Sequence, residues 1–334
     1  MRTLITYSLA LGVFAVVVAT AAATAPGKNG AIAFRRYLNN DQSWGAVFTI
    51  GADGKGAHQV THPQRGTVDD QPDWAPDGSR ITFTRCPHDG LCHIWTVAPD
   101  GTGLAPAGAL CAGGSNEGMC PDDANPSFSP DSKRITFTQA SGNVKDDPVV
   151  QNIIQHSAIA VMNADGSDRR VIYQAAPFAA DLNYPMFSPD GRQLLFERAN
   201  SGYSKPVGQR AVFVINADGT GVKRLTPWAE NAGDNPDWSS NGKWILFHTH
   251  VDGSGSQYVV IHPDGTGRRQ ITHFPAGTHV ASASFSPDGS SIVFSKGPEG
   301  GNIDVFTMRL DGTHMRRLTR SPLWDSAPDW GSKP

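Results

Sequence analysis

The chain has 334 residues and a formal net charge of -3, with 18% of its residues charged. That balance implies no basic surface of the size a nucleic-acid partner requires. The 36 glycines and 24 prolines suit a turn-rich, all-β protein, and the length exceeds that of a usual single domain unless a repeat accounts for it.

In chain order, Met1 to about Ala25 comes first, with Arg2, an apolar run from Leu4 to Val18 and small residues from Ala21 to Ala25. This reads as a secretory signal, residues 1–25, followed by one domain over residues 26–334. An uncleaved anchor is the alternative, since the apolar run is at the lower edge of what spans a bilayer. In either case the folded part lies outside the cytoplasm, periplasmic or secreted, and cleavage leaves no membrane span.

A repeat then organises the chain. In Pro72-Asp-Trp-Ala-Pro-Asp-Gly-Ser-Arg-Ile-Thr-Phe-Thr-Arg85, the segment Ala75-Pro76-Asp77-Gly78 fits a type I turn. Ile81 and Phe83 alternate with Thr82 and Thr84 as in a half-buried strand. Versions recur at Pro126–Phe137, Pro185–Phe196, Pro236–Phe247 and Ser284–Phe294. A half copy, Pro328-Asp-Trp330, ends the chain, and its missing half is Asn29–Phe34. A second element, a short apolar strand before an Asp-Gly turn, recurs at Asp53, Asp100, Asp165, Asp218, Asp264 and Asp311, at spacings of 46 to 65 residues. Four short strands per period are what a propeller blade needs.

The proline, the aromatic, Ser-Pro-Asp-Gly and Ile-x-Phe together resemble the TolB-like propellers, over about Asn29 to Trp330. The resemblance implies an all-β, six-bladed β-propeller of four-stranded antiparallel blades. TolB itself carries an α/β domain ahead of its propeller, and here the first blade begins soon after the leader, so a role in the Tol–Pal system does not carry over from the repeats. Ring closure predicts that Asp325–Trp330 supplies the inner strand of the blade whose outer strands span Ala31 to about Thr61.

The four cysteines, Cys86, Cys92, Cys111 and Cys120, suit disulfides in an oxidising compartment. Three pairings are open. Cys86 with Cys92, flanking Asp89-Gly90, and Cys111 with Cys120 are favoured over a zinc site, which the spacings do not suit.

The chain has no Gly-x-Ser-x-Gly elbow, phosphate loop or His-Glu-x-x-His motif. No catalytic residue, metal ligand set or cofactor is therefore expected. The candidate site is acidic. Asp70, Asp123, Asp181, Asp234 and Asp325 each lie shortly before a repeated aromatic, and on innermost strands they would ring one mouth of the central channel. Such a mouth would bind a basic segment or a cation, provided arginines do not match the acids. Alternatively these residues form Asx turns. His248 and His250, two apart on one predicted strand, with His273 and His279 in a later connection, form a weaker constellation. It bears on metal-dependent lyases of acidic sugars, which occur among TolB-like propellers. The expectation is a non-catalytic scaffold that binds an envelope or extracellular protein at the channel mouth. A metal-assisted glycan lyase and a ligand or cation sensor are the alternatives.

Overall fold

The computed structural model describes residues 27–88, 90–110, 121–144, 153–200, 208–251 and 255–333. The leader, Cys111, Cys120 and the side chain of His250 lie outside the described residues.

The repeated turn forms as its residues dictate. The Gly78 N–H donates to the Ala75 carbonyl at 2.8 Å, and matching bonds close the turns at Ser129–Ser132, Ser188–Gly191, Ser239–Gly242 and Ser286–Gly289. The fourth position is left-handed in each, which suits glycine at four of them and is adopted by Ser132 at φ 58° in the fifth.

These turns link strands into sheets. The first sheet holds β1 (Asn29–Tyr37), β2 (Gly45–Gly51) and β3 (His58–Gln59). The second holds β4 (Thr67–Trp74), β5 (Ile81–Pro87), β6 (His93–Val97) and β7 (Ala105–Pro106). The third holds β8 (Asp122–Phe128), β9 (Arg134–Val144), β10 (Ile153–Asn163) and β11 (Arg170–Gln174). The fourth holds β12 (Ala180–Phe187), β13 (Gln193–Asn200), β14 (Arg210–Asn216) and β15 (Lys223–Arg224). The fifth holds β16 (Ala232–Trp238), β17 (Ile245–Val251), β18 (Gly255–Ile261) and β19 (Arg269–Gln270). The sixth holds β20 (Thr278–Phe285), β21 (Ser291–Pro298), β22 (Asp304–Arg309) and β23 (Arg316–Arg317).

The last strand, β24 (Asp325–Ser332), returns to pair antiparallel with β1, setting Trp330 opposite Ile32 and Asp325 opposite Arg36. It completes a fourth strand for the first sheet, as ring closure requires. One parallel bridge, Gly45 with Val68, joins the first two sheets. The first strands touch in a closed cycle, β4 to β8 to β12 to β16 to β20 to β24 and back to β4. The molecule is a β-propeller. Among the described residues no helix is long and apolar enough to cross a membrane.

The core sits between sheets. Each hydrophobic cluster draws on two neighbouring sheets, as where Ala33, Val47 and Val60 of the first meet Trp74, Ile81, Phe83 and Val97 of the second. The phenylalanine of every Ile-x-Phe repeat (Phe34, Phe83, Phe137, Phe196, Phe247, Phe294) is at most 1% exposed. Each contributes about 1.5–3 kcal/mol by leaving water.

Polar groups brace the same seams. Asp73 accepts the Phe128 N–H at 2.8 Å, Asp237 the Phe285 N–H at 2.5 Å and Asp329 the Trp74 N–H at 2.7 Å, each reaching from one inner strand to the next. Burial raises the pKa of all three acids, well above the usual range for Asp73 and Asp237. At the rim, the Asp-Gly turns touch the sheet before them. At Gly219, with φ 87°, an added Cβ would lie 2.4 Å from the Ile172 carbonyl oxygen, so only glycine fits.

Deleting residues 325–334 should unpair β1 and open two seams together. The expected outcome is loss of the cooperative thermal unfolding transition, followed by circular dichroism; an unchanged transition would overturn the closure argument.

Candidate functional site

Antiparallel pairing sets the start of each inner strand beside the end of its second strand. Asp69 is opposite Arg85, Asp123 opposite Gln139, Gly233 opposite His248 and Val280 opposite Lys296. The chain leaves the sheets on this side through its longer connections, including residues 38–44, 60–66, 225–231, 271–277 and 318–324. The tight Pro-Asp-Gly and Asp-Gly turns occupy the opposite side. Binding and catalytic residues are disproportionately on loops, so this face carries the candidate site.

The acids expected at the mouth lie on this face but at three different strand positions, and arginines reach most of them. Asp325 is fully buried and bound by Arg36 through two bonds of 2.7 Å. Asp123 is held by Arg169 at 2.5 and 2.6 Å, and Asp69 by Arg85 at 2.6 and 2.8 Å. Asp70 pairs with Arg35 and also accepts the Gln71 N–H at 2.7 Å. Burial raises the pKa of Asp123 and Asp325 even so, outweighing their arginines. The Asx reading holds elsewhere: Asp100, Asp165, Asp218, Asp264 and Asp311 accept the hydroxyl of the Thr or Ser two residues on, which lowers their pKa. The requirement that acids stand unmatched is thus not met at Asp70, Asp123 or Asp325.

Around Asp234 the match is looser, since Arg210 is shared among Asp234, Glu197 and Asp181. Five inner strands carry a bulge of one extra residue ahead of the aromatic. β16 carries two, since Gly233 to Asp237 spans only His248 to Leu246, and Asp234 and Asn235 both adopt left-handed φ. Bulges of this kind re-aim side chains. Asp234 lies 3.5 Å from Arg210 and 3.4 Å from His248, on a cavity of about 300 Å³ that Asn231, Ser256 and His279 also line. Behind Gly233 stands Glu197, 1% exposed, whose Oε2 accepts the Asp234 N–H. Burial raises the pKa of Glu197 to about 7. Asp181, also raised by burial, adds to the field. Burial opposes the charge on Arg210, but Glu197, Asp234, Tyr184 and Asp181 together hold its pKa above the ordinary value.

A second cavity, of about 420 Å³, is more apolar. Pro63, Pro87, Leu91, Trp95 and Leu110 line it beside Arg85, whose guanidinium stacks on Trp95 at 4.5 Å. The Cys86–Cys92 disulfide closes the adjacent hairpin, with its Cα atoms 4.2 Å apart.

Neither a family model nor a curated protein matches the chain. Solved structures do. TolB from Acinetobacter baumannii superposes with a TM-score of 0.69 at 19% identity, over 91% of this chain and 67% of that one. A putative TolB from Agrobacterium tumefaciens gives 0.60 at 18%, over 88% and 90%. The chain has a TolB-like β-propeller fold. Another solved structure, oligogalacturonate lyase in complex with manganese, gives 0.53 at 15%, over 83% and 71%.

Within this TolB-like ring, the residues that the acidic motif alone does not reveal are Glu197, Arg210 and the arginines Arg35, Arg36, Arg85 and Arg169. A signal for several of them exists. The second strand runs past its Ile-x-Phe into Arg35-Arg36, Thr84-Arg85 and Glu197-Arg198, and antiparallel pairing returns those residues to the mouth.

Because the folded-state pKa of Glu197 stands above its unfolded value, the native state favours the neutral acid. Its stability contribution is lost as pH rises from about 4.5 through about 7, on the order of 3 kcal/mol. Glu197→Gln should match the wild type near pH 5 and exceed it near pH 8 in urea unfolding. Parallel pH profiles for the two proteins would refute this.

Proposed function

We propose that the chain is a non-catalytic protein-binding scaffold acting outside the cytoplasm, and that its partner docks on the loop face around the channel mouth. The observation that carries the reading is the set of guanidinium groups held ready on that face. Arg35 is tied to Asp70 and stacks over Tyr37 at 4.3 Å, while Arg85 is tied to Asp69 and stacks over Trp95. Arginine and aromatic side chains dominate the energetics of protein interfaces. Fixing them beforehand lowers the ordering entropy that binding costs. Likeness to TolB structures supports a scaffold, and the Cys86–Cys92 bond supports an oxidising compartment.

The likeness to a manganese-bound lyase motivates a test of metal fit. Among the described residues no three His, Cys, Asp or Glu are placed to hold a metal ion, and His248 faces Asp234 and the Tyr258 ring. The described residues do not fit such a site.

The reading is tested by partner capture from an envelope extract, comparing the wild type with Tyr37→Ala/Trp44→Ala on the loop face and Asp100→Ser/Asp264→Ser on the turn face. Loss of a captured protein only with the first pair is expected, with affinity down roughly tenfold or more. Equal loss with both pairs, or no partner together with cleavage of an acidic polysaccharide, would overturn it.

A further inference from the structure

The ion pairs on the loop face fall into two groups. Those at Asp69, Asp123 and Asp325 are bidentate at 2.5–2.8 Å, so each carboxylate has a guanidinium of its own at close range. Around the 300 Å³ cavity the contacts are longer: 3.5 Å from Arg210 to Asp234, 4.0 Å from Arg210 to Glu197 and 3.4 Å from His248 to Asp234. Charge-assisted hydrogen bonds close to about 2.7–2.9 Å when their partners are free to meet. Here one guanidinium serves three carboxyl groups, those of Asp181, Glu197 and Asp234, and satisfies none fully.

Glu197 shows the shortfall most clearly. It is nine-tenths buried and more, and among the described residues its Oε1 meets Asn183 Nδ2 at 3.5 Å and Arg210 Nε at 4.0 Å. A buried carboxyl oxygen left at such distances is costly. Gly233, in the cavity wall, makes its approach possible, because a Cβ there would sit 2.1 Å from Glu197 Oε2.

We propose that this cavity is a binding site for an organic cation, the protonated amine or guanidinium of a lysine, an arginine or a free polyamine. The inference rests on reading the loop face as the binding face, and it names the group that would enter there. An ammonium brings donors to Asp234, the carboxylate that lines the cavity and whose present contacts are long, and Glu197 and Asp181 attract it from behind the wall, whereas a neutral group relieves nothing. No bare metal ion is needed, in keeping with the absence, among the described residues, of three groups placed to ligate one. The groups facing Glu197 are Arg210 from β14, Asp234 from β16 and Tyr184 from β12, with Asn183 of β12 at longer range. When Glu197 takes up a proton, the negative field from behind the Gly233 wall is lost, so cation binding weakens on the acid side of neutrality.

The test is a titration of the intact chain, followed by calorimetry near pH 8 and near pH 5. The probes are N-acetyl-lysine methylamide, 1,5-diaminopentane and the neutral isostere N-acetyl-norleucine methylamide. Both amines should bind near pH 8 and the isostere should not. Asp234→Asn should weaken binding roughly tenfold, and Glu197→Gln should weaken binding near pH 8 and narrow the difference between pH 8 and pH 5, while the histidines His248 and His279 still line the cavity. Both substitutions are isosteric, and thermal unfolding checks that the variants remain folded. Tighter binding of the lysine derivative supports a protein source for the cation, and tighter binding of the diamine a free polyamine. No binding of either amine, equal binding of the isostere, or an unchanged Asp234→Asn variant would overturn the proposal. Partner capture lost with Tyr37→Ala/Trp44→Ala but no amine binding would overturn this inference alone, while amine binding without a captured partner would overturn the scaffold and keep the cation site.

Discussion

The constraint on which the rest depends is that each four-stranded sheet hides its apolar residues only against its neighbours. The clusters that bury Phe34, Phe196 or Phe294 each need side chains from two sheets, and the cycle of contacts ends where it began. The polar contacts follow the same direction. Asp73, Asp237 and Asp329 reach along the ring near its axis, and the Asp-Gly turns press on the preceding sheet at its rim. Stability therefore belongs to the closed ring and not to any one sheet, as in repeat architectures generally.

Much of this fold was legible in the residues. Pro-Asp-Gly fixed a turn, Ile-x-Phe fixed a strand and its buried face, and the split repeat at the two ends implied a shared sheet. The site was less legible, for two physical reasons. A repeat shows which positions recur, but Asp69, Asp123 and Asp325 receive arginines from β5, from the segment before β11 and from β1, so whether an acid is matched depends on strands that vary between units. The extra residue in the β16 bulge also has no single-residue signature. Asp234 precedes its aromatic by the same four residues as Asp70, and the backbone alone aims it elsewhere.

The charged groups of the loop face, the binding face proposed above, are of two kinds. Locked pairs such as Arg36 with Asp325 hold its shape, since a buried carboxylate released from its guanidinium would be left without compensation. The looser set at Arg210, Glu197 and Asp234 keeps electrostatic capacity in reserve. Both kinds are arginine–carboxylate pairs, and their geometry distinguishes them.

The return of β24 to β1 also bears on how the molecule comes into being. The first strand waits some 290 residues for its partner, so the contact that seals the ring has nearly the largest sequence separation the chain allows. Local hairpins can form as they emerge, but the edge of β1 and the apolar faces beside it stay open until the final segment arrives. Sealing of the ring is thus a late step, set by the arrival of Trp330 and its neighbours.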